Sequence, residues 1–308
     1  MPAPVFTHPR CLDHDPGAGH PERPARLEAV IRGVRSARHV LSGREGCDVR
    51  EAAPATLEAL AGVHPPEYAE LLARLSAGGA AMIGQDTLLN SASWEAALAG
   101  LGQILAAVDH AHAGKGNAFA AVRPPGHHAL TNQAMGFCLL ANAVLAARHA
   151  QRLGRARILI VDWDVHHGNG TQALIEHDPS IRFVSMHQWP WYPGTGAAQE
   201  RGVGNVFNVP RPAGLAASGP GGYLESLWGW IEVAGKEWSP DLILISAGYD
   251  SMTGDPLGGF TLEPEHYALW VTRLRERYPA VPIVGLMEGG YAPERLAAGV
   301  VATVQALG

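Results

Sequence analysis

Four short aliphatic runs in this chain each end in a cluster of polar, titratable residues, and that repeated junction restricts the folds open to it. Residues 118–122 lead into Arg123-Pro124-Pro125-Gly126-His127-His128. Ile158-Leu159-Ile160-Val161 leads into Asp162-Trp163-Asp164-Val165-His166-His167-Gly168-Asn169-Gly170. Leu242-Ile243-Leu244-Ile245 leads into Ser246-Ala247-Gly248-Tyr249-Asp250, and residues 281–286 into Met287-Glu288-Gly289-Gly290-Tyr291. Unbroken aliphatic runs of this length read as strands buried on both faces. Segments before and between them carry apolar residues at helical spacing, as Leu27, Val30, Ile31 and Val34 do. The pattern predicts helices over 24–41, 65–76, 93–113, 138–153, 221–237, 263–277 and 292–307, and further strands at 181–186 and 205–209. Strands alternating with helices give an α/β fold with a mainly parallel central sheet between helices. Ligands of such sheets bind beyond the carboxyl ends of the strands, where these polar clusters fall. No linker, repeat or low-complexity tract divides the chain, so one domain over 1–308 is expected.

Composition narrows the function. The 308 residues are 47% hydrophobic and 17% charged, with a net charge of −6, which is globular and mildly acidic. That balance gives no footing for nucleic-acid binding, which shows as a basic patch. The three cysteines, Cys11, Cys47 and Cys138, form no CxxC pattern and no disulfide framework, as expected of a reducing compartment. Met1-Pro2-Ala3-Pro4 does not begin a secretory signal, and no aliphatic run approaches the roughly 20 residues of a membrane span. A cytoplasmic protein without a membrane partner is expected; a homo-oligomer is left open, and Trp189, Trp191, Trp228 and Trp230 fit core, rim or interface.

Asp162, Asp164 and His166 stand at i, i+2 and i+4, so a strand extended past Val161 would project all three from one side. An Asp-x-His pair grips a divalent ion, and Asp250, from another strand end, can supply a third ligand. Two carboxylates and one neutral imidazole balance a 2+ charge and leave a position open for water, the pattern of a catalytic zinc. Singly, an Asp after a strand usually caps a helix and a lone His usually packs in the core; the convergence of strand ends favours the metal. His127 and His128 follow a Pro-Pro-Gly turn, where adjacent histidines can share acid–base work, with Asp162 and Asn169 as orienting acceptors. Tyr291, after two glycines, can donate to a developing oxyanion.

Taken together these motifs resemble the zinc-dependent histone deacetylase superfamily, most closely class II-like bacterial members and acetylpolyamine amidohydrolases. The resemblance runs from His14-Asp15-Pro16-Gly17-x-Gly19-His20-Pro21-Glu22-Arg23 to the last helix. It includes Gly136-Phe137-Cys138, Pro193-Gly194-Thr195-Gly196, Asp250-x4-Asp255-Pro256 and Glu288-Gly289-Gly290-Tyr291. It implies the three-layer arginase/deacetylase fold. It implies zinc on Asp164, His166 and Asp250, and tandem histidines His127 and His128 backed by Asp162 and Asn169. Tyr291 would polarise the acyl carbonyl. It further implies potassium near Asp162, Asp164, Ser185 and the carbonyls of His166 and Met186, and an acyl-lysine tunnel lined by Gly136, Phe137 and Tyr192. His187 is expected either near the metal or packed as a structural residue.

A dimanganese ureohydrolase of the same fold needs an Asp-x-Asp after Asp250, and the chain reads Ser-Met-Thr-Gly-Asp255 there. A non-catalytic acyl-binding module would lack a ligand or the tyrosine, and all are present. Between substrates, Leu257 occupies the place after Asp255-Pro256 where polyamine-specific members often carry an acid. This favours acyl-lysine peptides over acetylpolyamines or other small amides, although Glu263 and Glu265 lie close enough in sequence to supply a charge.

Overall fold

The structure is a computed structural model that describes residues 2–37 and 46–308. Eight strands form one sheet in which every pairing is parallel. They are β1 (Val5–Phe6), β2 (Val49–Arg50), β5 (Ala118–Ala120), β6 (Ile158–Asp162), β7 (Ile181–Gln188), β8 (Val206–Arg211), β9 (Leu242–Ala247) and β10 (Ile283–Met287). Their spatial order is β2-β1-β5-β10-β9-β6-β7-β8. A separate antiparallel hairpin joins β3 (Ala81–Ile83) to β4 (Thr87–Leu89). Every residue of β6, β9 and β10 is buried, as the unbroken aliphatic runs require.

Helices pack in two groups. One contains α1 (Ala25–Ser36), α6 (Tyr223–Ala234), α7 (Pro264–Arg277) and α8 (Pro293–Leu307); the other contains α2 (Pro66–Ala77), α3 (Ser93–His112), α4 (Asn142–Arg152) and α5 (Asn169–Ile175). β5 touches a helix of each group, α8 and α3. This is the expected α/β architecture, a parallel sheet flanked by helices. Among the described residues no helix is long and apolar enough to cross a membrane.

Several expected boundaries move, each for a local reason. The helix expected over 24–41 ends at Ser36, where Ala37 turns extended (ψ 128°), and 38–41 lie outside the described residues. The helix expected from 138 begins at Asn142. Residues 138–141 are held in coil by the Tyr68 hydroxyl on Leu139 O (2.8 Å) and by Ala141 N donating to His64 Nε2 (2.9 Å). The helix expected over 221–237 runs only from Tyr223 to Ala234. The two-residue strands, the hairpin and the seven-residue α5 were too short for their periodicity to register.

A buried ion network ties the N-terminal motif to the sheet. Glu22, with no exposed surface, accepts from Arg123 Nε (2.6 Å) and Arg26 Nη1 (3.0 Å), and lies 3.3 Å from His14 Nε2. Arg123 also donates to the carbonyls of Cys11 and His14. Burial alone would raise the Glu22 carboxyl; Arg123, His14 and Arg26 outweigh it and hold it well below the ordinary value. A depressed carboxyl stabilises the fold above its unfolded pKa and loses that contribution as pH falls toward its folded pKa. Stability should therefore drop as pH falls below about 4.3, the unfolded value for Glu. Glu22→Gln should cost about 3–5 kcal/mol at neutral pH by leaving two buried guanidiniums unpaired. Chemical denaturation against pH checks this: the gap between variant and wild type should narrow in acid, and parallel curves would contradict it.

Candidate active site

The site forms where β5, β6, β9 and β10 end. β6 continues one residue past Val161 and no further. It ends at Asp162, and the next residues bend, because Asp162 Oδ1 accepts Asp164 N (3.0 Å) and Asp164 Oδ1 accepts His166 N (2.9 Å). The three residues therefore do not project from one side as an extended strand would have them. Asp162 Oδ2 lies 3.1 Å from His127 Nδ1, whereas Asp164 and His166 swing toward Asp250.

Asp164, His166 and Asp250 are buried, and each offers a ligand atom within 4.8 Å of the others. His166 Nδ1 sits 3.1 Å from Asp164 Oδ1 and 3.2 Å from Asp250 Oδ2. Burial opposes charge on His166, but the two carboxylates prevail and raise it to about 10. Burial and the neighbouring Asp164 push Asp250 up to about 7. Two carboxylates shut away from water with one imidazole make a strongly anionic recess, which suits a divalent cation. Glycines clear it: a Cβ at Gly248 would lie 2.1 Å from Asp164 Oδ2, and one at Gly289 would lie 2.2 Å from Asp250 Oδ2. The residues fit a metal.

The adjacent histidines converge, their ring centroids 4.0 Å apart. His127 faces Asp162. Its burial disfavours charge, yet Asp164 and Asp162 raise it to about 10. His128 Nδ1 lies 2.7 Å from Asn169 Oδ1, and burial with repulsion from His127 and His166 holds it well below the ordinary value. Environment has thus pushed the two imidazoles apart, one charged and one neutral. Tyr291 is positioned by Asp255, whose Oδ2 accepts its main-chain N–H (2.6 Å), and by Arg26 over its ring (4.9 Å). Burial raises its phenol well above the usual range, so it stays a proton donor.

A pocket of about 230 Å³ opens onto this cluster, lined by Gly136, Phe137, Tyr192 and Leu257 together with His128, His166 and Tyr291. Gly136 (φ 56°) must be glycine, because a Cβ there would meet the His128 ring at 2.2 Å. Phe137 also takes a positive φ of 68°, which sets its ring edge-on to Tyr291 (5.8 Å) and to His20 (4.7 Å). Of two further wall residues, Asp86 escaped sequence reasoning and Trp191 was left open between core, rim and interface. Asp86 sits in the β3–β4 turn and accepts Gly136 N (3.0 Å), and Trp191 donates from Nε1 to Leu257 O (2.9 Å). The polar turn residue in Gly84-Gln85-Asp86 was the available signal for the first; the second has only its setting between prolines.

The remaining expectations sort cleanly. Asp162 and Ser185 are register partners across β6 and β7, with Met186 next in β7. His187 is structural: it is buried between Ser185 Oγ (3.0 Å) and Gly196 O (2.9 Å), and burial lowers it to about 4. His14 and His64 are likewise tied into packing, by Ser93 Oγ and by Thr131 O. Glu263 is paired with Arg295 (2.6 Å), and neither it nor Glu265 lines the pocket.

Known proteins are similar to this chain in sequence and fold. Residues 20–307 match the histone deacetylase domain. The chain is 35% identical over 285 residues to the histone deacetylase-like amidohydrolase of Pseudomonas aeruginosa, covering 89% of this chain and 73% of that protein. It is 37% identical over 306 residues to the polyamine deacetylase HDAC10 of Homo sapiens, covering 93% of this chain and 44% of that protein. The crystal structure of the HDA15 HD domain superposes with a TM-score of 0.90 at 35% identity, covering 99% of this chain and 88% of that one. With its parallel sheet and the motif residues gathered at the strand ends, the chain belongs to the histone deacetylase family.

Proposed function

We propose that this chain, as a single deacetylase domain over 1–308, hydrolyses N-acyl amides with one zinc ion held by Asp164, His166 and Asp250. The observation that carries this reading is the meeting of that buried trio with the His128 imidazole and the Tyr291 phenol on one narrow pocket. Zinc bound there supplies Lewis-acid polarisation of the acyl carbonyl and acidifies a water. With Asn169 Oδ1 accepting from Nδ1, the Nε2 lone pair of His128 is left to take a proton from the attacking water and to return it to the departing amine. His127, held charged by Asp162, supplies a fixed positive field beside the developing anion. Tyr291 donates its hydroxyl proton to the oxyanion, and Asp255 and Arg26 fix where that hydroxyl lies. We also assign a potassium ion to Asp162, Asp164, Ser185 and the carbonyls of His166 and Met186, an all-oxygen set suited to a hard cation.

For substrate we propose acyl-lysine in peptides or proteins. Phe137, Tyr192 and Leu257 would sheath an alkyl stem, and Leu257 itself, at the position after Asp255-Pro256, brings no charge to the wall. Acetylpolyamines are the second reading, favoured by one observation: the Asp86 carboxylate forms part of the pocket wall and could meet an ammonium.

Three measurements check this reading. Tyr291→Phe should lower kcat on acetyl-lysine peptide by about 10²–10³-fold, the usual loss for one oxyanion donor; near wild-type turnover would remove the tyrosine from the chemistry. Leu257→Glu should raise kcat/KM for acetylspermidine relative to acetyl-lysine peptide, by about 10-fold for each 1.4 kcal/mol of new ion pairing. An unchanged ratio would show that the mouth does not select charge. Gly289→Ala should weaken zinc binding by about 10–100-fold, as crowding of ligand carboxylates does. Competition with a chromophoric chelator reads this, and an unaltered affinity would place the metal elsewhere.

A further inference from the structure

Glu288 opens the Glu288-Gly289-Gly290-Tyr291 run, and the chemistry above leaves its side chain without a task. It has no exposed surface. Burying a carboxylate costs several kcal/mol unless it is hydrogen-bonded, so its bonds identify what it is for. Oε2 accepts Gly126 N (2.7 Å) and His127 N (3.2 Å), two successive main-chain donors converging on one oxygen as in an anion-binding nest. Oε1 has no hydrogen-bond partner among the described residues.

The other supports of the histidine loop use its acceptors or its rings. His127 O accepts Gly170 N (3.0 Å) and Thr171 N (3.1 Å), Pro124 O accepts Asn142 Nδ2 (3.3 Å), and Asp162 takes the His127 ring. Glu288 takes the loop's donors. Its own main chain is anchored on the opposite side: Arg26 donates to Glu288 O (2.5 Å) and Gly290 O (2.6 Å), and Gly289 N donates to Asp164 Oδ2 (2.9 Å). Glu288 and the adjoining Gly289 amide therefore link the loop carrying both imidazoles to Asp164.

We infer that Glu288 is a positioning residue: its carboxylate fixes the Gly126–His127 main chain, and through it the placement of both imidazoles relative to Asp164, His166 and Asp250. This rests on the reading of His128 as the acid–base group and of His127 as its charged neighbour. Glu288 does not line the pocket, so its removal should act on kcat and spare KM. The role depends on reach. Aspartate keeps the charge but is one methylene too short to hold both N–H groups. Glutamine keeps the length and the accepting oxygen, and its amide nitrogen would replace an Oε1 that no donor faces, so no existing bond is lost.

The test compares Glu288→Asp, Glu288→Gln and His128→Ala in the zinc-loaded protein. It reads kcat and KM on acetyl-lysine peptide, zinc per chain, and the amide proton shift of Gly126. Glu288→Asp should lose about 10²-fold in kcat with KM within about 2-fold, as a small misplacement of reacting groups does. Glu288→Gln should recover at least about 10-fold of that loss. Zinc per chain should be unchanged in both, and the Gly126 amide should move upfield in the Asp variant only. Wild-type kcat in Glu288→Asp, a loss in KM instead, or a Gln variant as slow as the Asp variant would each overturn the inference. Should the Asp variant not fold, the Gln variant decides alone: a kcat down about 10²-fold with the Gly126 amide unmoved would overturn it. His128→Ala separates the two readings, since normal turnover there would remove the acid–base assignment itself, whatever the Glu288 variants do.

Discussion

Two carboxylates, Asp164 and Asp250, lie buried against each other at the ends of β6 and β9, and the rest of the site is arranged around that concentration of negative charge. Like charges out of water repel strongly enough that no sequence would retain them for stability alone. Each is instead given compensation. His166 lies between them, main-chain N–H groups of Val165, His166 and Gly289 point at them, and glycines at 248 and 289 keep space clear beside them. The same field raises His127, whereas burial, with repulsion from His127 and His166, lowers its neighbour His128. That concentration of charge, together with burial, accounts for the opposite shifts of the adjacent histidines.

A second buried charge cluster makes that arrangement rigid. Glu22 gathers Arg123 and Arg26, and those guanidiniums reach on to main-chain carbonyls at Cys11, His14, Glu288 and Gly290. Arg123 begins the histidine loop and Arg26 clamps the tyrosine loop. The N-terminal His-Pro-Glu-Arg stretch, distant in sequence from the chemistry, therefore braces two of the four strand ends that form the site. The pocket itself depends on local backbone: Gly136 and Phe137 both adopt positive φ, and Asp86 holds that corner by accepting the Gly136 amide.

Much of this was legible before the structure. Fully buried parallel strands announce themselves as aliphatic runs, so β6, β9 and β10 and the polar clusters behind them were legible from sequence, and with them the meeting of Asp164, His166 and Asp250 with the paired histidines and Tyr291. What was not legible depends on contacts between distant segments. The bend after Asp162 comes from its own side chain capturing Asp164 N, which periodicity does not reveal. The late start of α4 follows from Tyr68 and His64 holding residues 139 and 141. Asp86 reaches the pocket only because a hairpin too short to register carries it there. Glu263, close to Leu257 in sequence, is drawn off by Arg295.

The central claim is that a metal held by Asp164, His166 and Asp250 works with His128 and Tyr291 to cleave an acyl amide. Acetate release is its most direct test. Purified protein carrying one zinc per chain would be given an acetyl-lysine peptide, a trifluoroacetyl-lysine peptide and acetylated polyamines, with and without a hydroxamate chelator. The account predicts chelator-sensitive acyl release, fastest per unit KM on the lysine peptides. Zinc-loaded protein that releases no acyl group from any of these substrates, or activity that requires two manganese ions per chain, would contradict it.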